Sequence, residues 1–217
     1  MMATGVVVAM RWEAESLAST AVRFDVAGTG PARARAAAHR LVQSGATALV
    51  SWGVAAGLDP RLAPGSVVLP ATVLGADGIR YPVDVEWRAR AASALAGLRP
   101  SADVLAETPC VLDCAAAKVA LRQRTGAAAA DMESAAVLQV AAQAALPGLV
   151  IRVVLDPAAS GVARAWAETI GSTGRLQPTR LAATLARPRL WASGLELARF
   201  RNDARHSLRS AAAGLEV

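Results

Sequence analysis

Glu13, Glu133 and Asp156 each sit just beyond a short apolar run, at residues 5–10, 126–130 and 149–155. Runs of that length and character read as buried strands. In a parallel α/β sheet, ligands collect outside the carboxyl ends of the strands. Three carboxylates far apart in the chain can therefore meet in one crevice. Ionised, they accept hydrogen bonds from hydroxyl groups or orient a water; where burial raises a pKa, one of them can supply a proton. The middle acid lies in Asp131-Met132-Glu133-Ser134-Ala135-Ala136-Val137, the most specific string in the chain. Glu133 also opens a helix there, where the dipole favours its charge.

The elements that must position these acids follow an alternating pattern. A short helix is expected at 13–21 and a strand at 22–27. Gly28-Thr29-Gly30-Pro31 then breaks the chain and opens a helix, with Pro31 in its first turn. This helix should run to Gln43 and stop at Gly45. A strand at 47–52 leads into a glycine-bearing loop at 53–60, a Pro64-Gly65 turn and a strand at 66–69. Ala76-Asp77-Gly78 forms a hairpin turn between 72–74 and 79–81. Helices are expected at 85–98, 115–124 and 133–145. The fold class is α/β: a single three-layer αβα domain with a central mixed, twisted sheet.

Residues 1–160 make the core, and 161–217 a basic helical extension packing on the same domain. In the extension a short helix is expected at 163–170, with two more starting at Pro178 and Pro188. On the last, Leu190, Leu197, Phe200, Ala204 and Leu208 form an apolar stripe, with Arg199, Arg205 and Arg209 turned away.

Composition excludes several classes. Aromatics are only 4% of the chain, so the core must be built from Ala, Val and Leu. Of the 23 basic residues only Lys118 is a lysine, a bias expected of a GC-rich genome. No apolar stretch approaches the roughly 20 residues that span a bilayer. The N-terminus lacks a charged n-region and cleavage site, which points to a cytoplasmic protein. Cys110 and Cys114 have no His or Cys partners nearby, so neither a metal site nor a disulfide framework is expected. From Val162 onward nine arginines face four acids, so most of the net charge of +6 belongs to the tail. That distribution argues against a nucleic-acid groove. It suits a solvated helical surface, or peripheral contact with an acidic membrane face.

Several motifs, in order, carry a family resemblance: Ala9-Met10-Arg11-Trp12-Glu13, Trp52-Gly53-Val54-Ala55-Ala56-Gly57-Leu58-Asp59-Pro60, Pro64-Gly65-Ser66-Val67-Val68, Asp131-Met132-Glu133 and Leu155-Asp156. The chain resembles the nucleoside phosphorylase and nucleosidase superfamily over residues 5–157. Arg11-Trp12-Glu13, Asp131-Met132-Glu133-Ser134 and the tail most resemble its hopanoid-associated phosphorylase branch, which removes adenine from adenosylhopane. The resemblance implies a phosphorylase/hydrolase-like fold and cleavage of an N-glycosidic bond in a purine nucleoside, here a lipid-linked one. It implies a homodimer or higher oligomer, with no cofactor beyond inorganic phosphate as a candidate co-substrate. Methylthioadenosine- or futalosine-type nucleosidases, and a non-catalytic purine-binding module, are the alternatives.

By the same resemblance Asp156 protonates or hydrogen-bonds the purine N7, and Glu133 holds the ribose hydroxyls with Met132 against the sugar. Glu13 polarises an attacking water, and Gly53, Val54 and Ala55 line the nucleophile's side. Val54 stands where many relatives carry a polar contact, which leaves backbone N–H groups as donors. Gly30, Arg11 and Arg33 are the candidate anion-binding residues. A carboxylate such as Glu13 repels a phosphate dianion, so the sequence leans toward water as nucleophile.

Overall fold

Alternate side chains of the central strands face two different helix layers, as the period-two geometry of a strand requires. A computed structural model describes residues 3–162, 164–171 and 173–212. Its elements in the first half are β1 (Thr4–Val8), α1 (Arg11–Ala14), β2 (Arg23–Val26), α2 (Pro31–Gln43), β3 (Ala48–Gly57), β4 (Val67–Val68), β5 (Thr72–Leu74), β6 (Arg80–Pro82) and α3 (Val85–Ala94). In the second half come β7 (Leu105–Glu107), α4 (Ala115–Thr125), β8 (Ala129–Asp131), α5 (Ser134–Gln143), β9 (Gly148–Asp156), α6 (Arg164–Ala167), α7 (Pro178–Leu185) and α8 (Trp191–Ala211).

The strands form one mixed sheet in the order β2-β1-β3-β8-β7-β5-β6, with β9 paired to both β3 and β4. β1 is parallel to β2 and β3, and β9 is parallel to β3, whereas β8 meets the end of β3 antiparallel. Val7 and Leu49 pack with Ala34, Ala38 and Leu41 of α2 and Val137 of α5. Val6, Val8, Val50 and Trp52 point the other way, onto Trp87 of α3 and Ala204 and Leu208 of α8. This is the expected three-layer αβα arrangement. Buried alanines let α2 approach the sheet closely, which compensates for the scarcity of aromatics.

The structure redraws several boundaries near the acids. Residues 53–57, expected as loop, continue β3, because Gly53, Val54 and Ala55 pair with Arg152, Val153 and Val154 of β9. The register shifts between Ala55 and Ala56, leaving Leu155 as an extra residue in β9. A bulge of this kind bends the strand and re-aims the next side chain, here that of Asp156. β8 ends on Asp131, and Glu133 is the N-cap residue of α5.

In the tail, Pro178 opens α7, while Pro188 opens a single 3₁₀ turn ahead of α8. Ala163, the expected start of a short helix, lies outside the described residues, as do 213–217. Ala204 and Leu208 are fully buried, as their stripe suggested. Arg205 is not turned away into solvent but pairs with Glu15.

Candidate active site

Glu13 is buried and held by three backbone donors. Its Oε2 accepts the N–H of Ala9 at 3.1 Å and of Met10 at 2.7 Å, and its Oε1 accepts the N–H of Val54 at 2.9 Å. The short helix α1 is braced from below: the Trp52 indole donates to Ser16 Oγ at 3.0 Å, which in turn donates to the Glu13 carbonyl at 2.6 Å. Burial pushes the Glu13 carboxyl above its ordinary pKa, against the opposing pull of Arg152 and the three amides. Gly53 has φ of 148°, and a Cβ there would lie 2.5 Å from Glu13 Oε1 and 2.7 Å from Arg152 Nη1. Only glycine lets these two groups approach across β3.

Arg152 and Lys118 are the buried cations that sequence reasoning missed. Arg152 lies in the middle of β9, 1% exposed, and shares the strand parity of Val150 and Val154. Its Nη2 reaches Asp131 Oδ2 at 2.6 Å, Glu133 Oε2 at 3.7 Å and Ser51 Oγ at 2.7 Å, and its Nε donates to Ser134 Oγ at 3.1 Å. Nη1 is buried and has no protein acceptor among the described residues. The signal available was a single charge inside an otherwise apolar strand, since a buried charge must be paired.

Glu133 takes the N–H of Gly30 on Oε1 at 2.8 Å, across 103 residues of sequence. Burial is the main cause that raises its pKa to about 7; Arg152 opposes the shift, while Asp131 and Glu13 add to it. The Gly30 amide thus orients Glu133 rather than standing open to an anion. Arg11 and Arg33 are both exposed, outside the cavity lining. The cation beneath the acids is Arg152 instead, because a strand interior, unlike a surface helix, delivers its side chain to the sheet face.

Asp156 ends β9 beside a second buried cation. Lys118 of α4 is 0% exposed and donates to Asp156 Oδ2, to the Asp156 carbonyl at 3.1 Å and to the Pro157 carbonyl at 2.7 Å. Burial raises the Asp156 pKa and lowers that of Lys118, each partly offset by the other's charge.

Glu13, Glu133, Asp156, Met132, Val54 and Ala55 all line one cavity of about 390 Å³. Gly53 is not in its lining but spaces Glu13 from Arg152. The Val54 amide, expected as a donor to the nucleophile, is taken by Glu13. The rest of the lining is mostly apolar, with Trp12 and, from the tail, Trp166, Ile170, Leu176, Leu181 and Leu197, beside the polar Thr169 and Arg201. Among the described residues no group of His, Cys, Asp and Glu could hold a metal ion, and no helix is long and apolar enough to cross a membrane.

The family model of the phosphorylase superfamily matches residues 17–187. No curated protein sequence matches the chain. Among solved structures, it is similar to the 5′-methylthioadenosine/S-adenosylhomocysteine nucleosidase of Neisseria meningitidis in complex with methylthio-immucillin-A. That match has 17% identity, a TM-score of 0.75, and covers 100% of this chain and 99% of the other. The futalosine hydrolase of Helicobacter pylori is also similar, at 14% identity and TM-score 0.71, over 98% of this chain and 95% of that one. At such identities the likeness is one of fold.

Proposed function

Because the chain belongs to the phosphorylase superfamily, we propose that it cleaves the N-glycosidic bond of a 5′-modified adenosine with water, releasing adenine. The convergence of Glu13, Glu133 and Asp156 on one cavity carries this reading. As the bond breaks, positive charge builds on the ribose and electrons move onto the purine. Glu133 accepts hydrogen bonds from the ribose hydroxyls, and Met132 packs against the sugar. Asp156 meets the purine N7. Glu13 takes a proton from the attacking water, and Arg152 beneath it holds the charge of the acids.

The balance of charge supports water over phosphate. One guanidinium already faces Asp131, Glu133 and Glu13. A phosphate dianion there would meet surplus negative charge, costing about 4 kcal/mol for each like-charge contact at 4 Å and an effective dielectric near 20.

The other end of the cavity supports a large apolar 5′ substituent, a polycyclic lipid as in adenosylhopane, and with it a role in hopanoid side-chain synthesis. Leu176 lines the cavity and is 53% exposed, so apolar surface continues from the wall to the outside. Trp191 and Leu195 of α8 are exposed too, along with Arg187, Arg189 and Arg199. An apolar patch among arginines suits the cytoplasmic face of an anionic membrane. Val111 is likewise both exposed and cavity-lining, an open rim that a second copy in a homo-oligomer would cover.

The test is base release from adenosylhopane in vesicles, methylthioadenosine, futalosine and inosine, each with and without phosphate. Adenine from adenosylhopane at a rate independent of phosphate is expected. Preference for methylthioadenosine would remove the lipid assignment, and no free base from any substrate would overturn the enzyme reading.

A further inference from the structure

The chain has one lysine among its 23 basic residues, and that lysine is wholly buried against the candidate acid. We infer that Lys118 supplies, through Asp156, the proton that neutralises the departing purine; the inference rests on the glycosidic cleavage proposed above. Its Nζ has three acceptors: Asp156 Oδ2, the Asp156 carbonyl and the Pro157 carbonyl. Three acceptors match the three N–H bonds of an ammonium; a neutral amine would offer two and could fill the third contact only by accepting from a protonated Asp156. In the proposal the resting pair is ammonium and carboxylate. A carboxylate has no proton to give N7, so Asp156 must first receive one, and Lys118 is the donor in contact with it.

The loop that carries the two carbonyls is fixed against the start of α4. A Cβ on Gly161 would lie 2.5 Å from the Asp113 carbonyl oxygen and 2.6 Å from the Cys114 nitrogen. The lysine's helix and the acid's loop thus meet backbone to backbone. Arginine in this position would hold the charge but could not surrender a proton. Lysine can, and burial weakens its hold on that proton.

In the transfer, an Nζ–H bond of Lys118 breaks as an O–H bond forms on Asp156. The carboxyl turns about its Cβ–Cγ bond, and its O–H breaks as N7–H forms. The purine keeps the electron pair of the broken C–N bond and leaves as neutral adenine. Asp156 is again a carboxylate, and Lys118 is left as an amine. The proton that Glu13 took from water returns to solvent on product release, and Lys118 regains one in turn.

The experiment compares an adenosine substrate with 4-nitrophenyl riboside, whose phenolate leaves without a proton. Lys118→Met should slow adenine release at least ~100-fold, in the range of general acid catalysis. It should slow nitrophenolate release no more than about threefold. Lys118→Arg should behave like Lys118→Met. Equal losses on both substrates, or rescue by arginine, would mean a structural ion pair and overturn the inference. If wild-type protein cleaves neither substrate, the glycosidase reading fails first. Should the variants not fold, wild-type protein labelled with ¹⁵N-lysine has one side-chain signal from the chain. That signal should be an ammonium in the free enzyme, and a neutral amine there would equally refute the proposal.

Discussion

The floor of the cavity carries its charge in two different ways. At one end Arg152 faces Asp131 at 2.6 Å and Glu133 at 3.7 Å, with Glu13 close by. At the other, Lys118 answers Asp156 and two carbonyls. A guanidinium has a rigid fork of donors and stays charged, while an ammonium is compact and able to lose a proton. The Arg152 end is therefore built to hold geometry: it ties β9 to β3 through Ser51 and to the start of α5 through Ser134. The Lys118 end is built around a transferable proton. Two buried ion pairs in one cavity thus serve different purposes, and the cation chosen at each distinguishes them.

Breaking the Arg152 end should have the largest effect. Arg152→Met leaves Asp131 and Glu133 buried without their cation, which costs about 3–5 kcal/mol when one partner of a buried pair is removed. Chemical denaturation should show this loss together with abolished base release. Arg152→Lys returns the charge without the fork, so it should recover part of the stability and little of the activity. Full recovery of activity by lysine would erase the distinction between the two ends.

Glu13→Gln tests whether the Arg152 end also activates water. The expected result is a fall in kcat of ~10²–10⁴-fold with little change in KM, the range for losing a general base. A variant that lost only substrate affinity would instead place Glu13 among the binding groups.

The same end should leave a mark on pH dependence. Glu133 titrates near 7 in the folded protein, against an ordinary value of 4.5. Between those values the folded state holds a proton that the unfolded state has lost. Stability contributed by this group is therefore complete below about pH 4.5, declines as pH rises, and levels off above about 7, a change on the order of a few kcal/mol. Activity should run the other way, since Glu133 and Glu13 act as carboxylates and both have raised pKa values. Melting temperature against pH, in wild type and Glu133→Gln, checks the first trend: the variant should have a shallower slope, the remainder coming from Glu13, Asp156 and Glu107, whose pKa values burial also raises. The profile of kcat/KM checks the second.

The contrast between the two ends also marks what could be read from the chain alone. Glu13, Glu133 and Asp156 were legible because each closes an apolar strand run, and α2 because Pro31 and Gly45 bracket a helical stripe. Arg152 was not, because periodicity treats one charge in an apolar run as an interruption rather than as a demand for partners. Lys118 is buried with Leu121 on the inner side of α4, but nothing local distinguishes it from a solvated lysine until Asp156 is beside it. Arg11 stands out in the sequence for its nearness to Glu13, and Arg33 for its nearness to the Gly28-Thr29-Gly30 turn, but nearness does not fix where a side chain points. Three-residue strands such as β7 are too short for a period to show.

The smallest expected effect lies outside the floor, on the tail, and sharpens the comparison by separating chemistry from delivery. Trp191 is 55% and Leu195 66% exposed, and neither lines the cavity. Burying such a side chain contributes about 1.5–3 kcal/mol when complete. Replacing both by serine should therefore weaken binding to anionic vesicles by roughly tenfold, while hydrolysis of a water-soluble nucleoside such as methylthioadenosine stays unchanged. Raising the salt should weaken vesicle binding of wild type as well, because the arginines are screened. If partition onto vesicles is indifferent to both the substitutions and the salt, the exposed residues on α8 are ordinary surface and the proposed membrane contact fails.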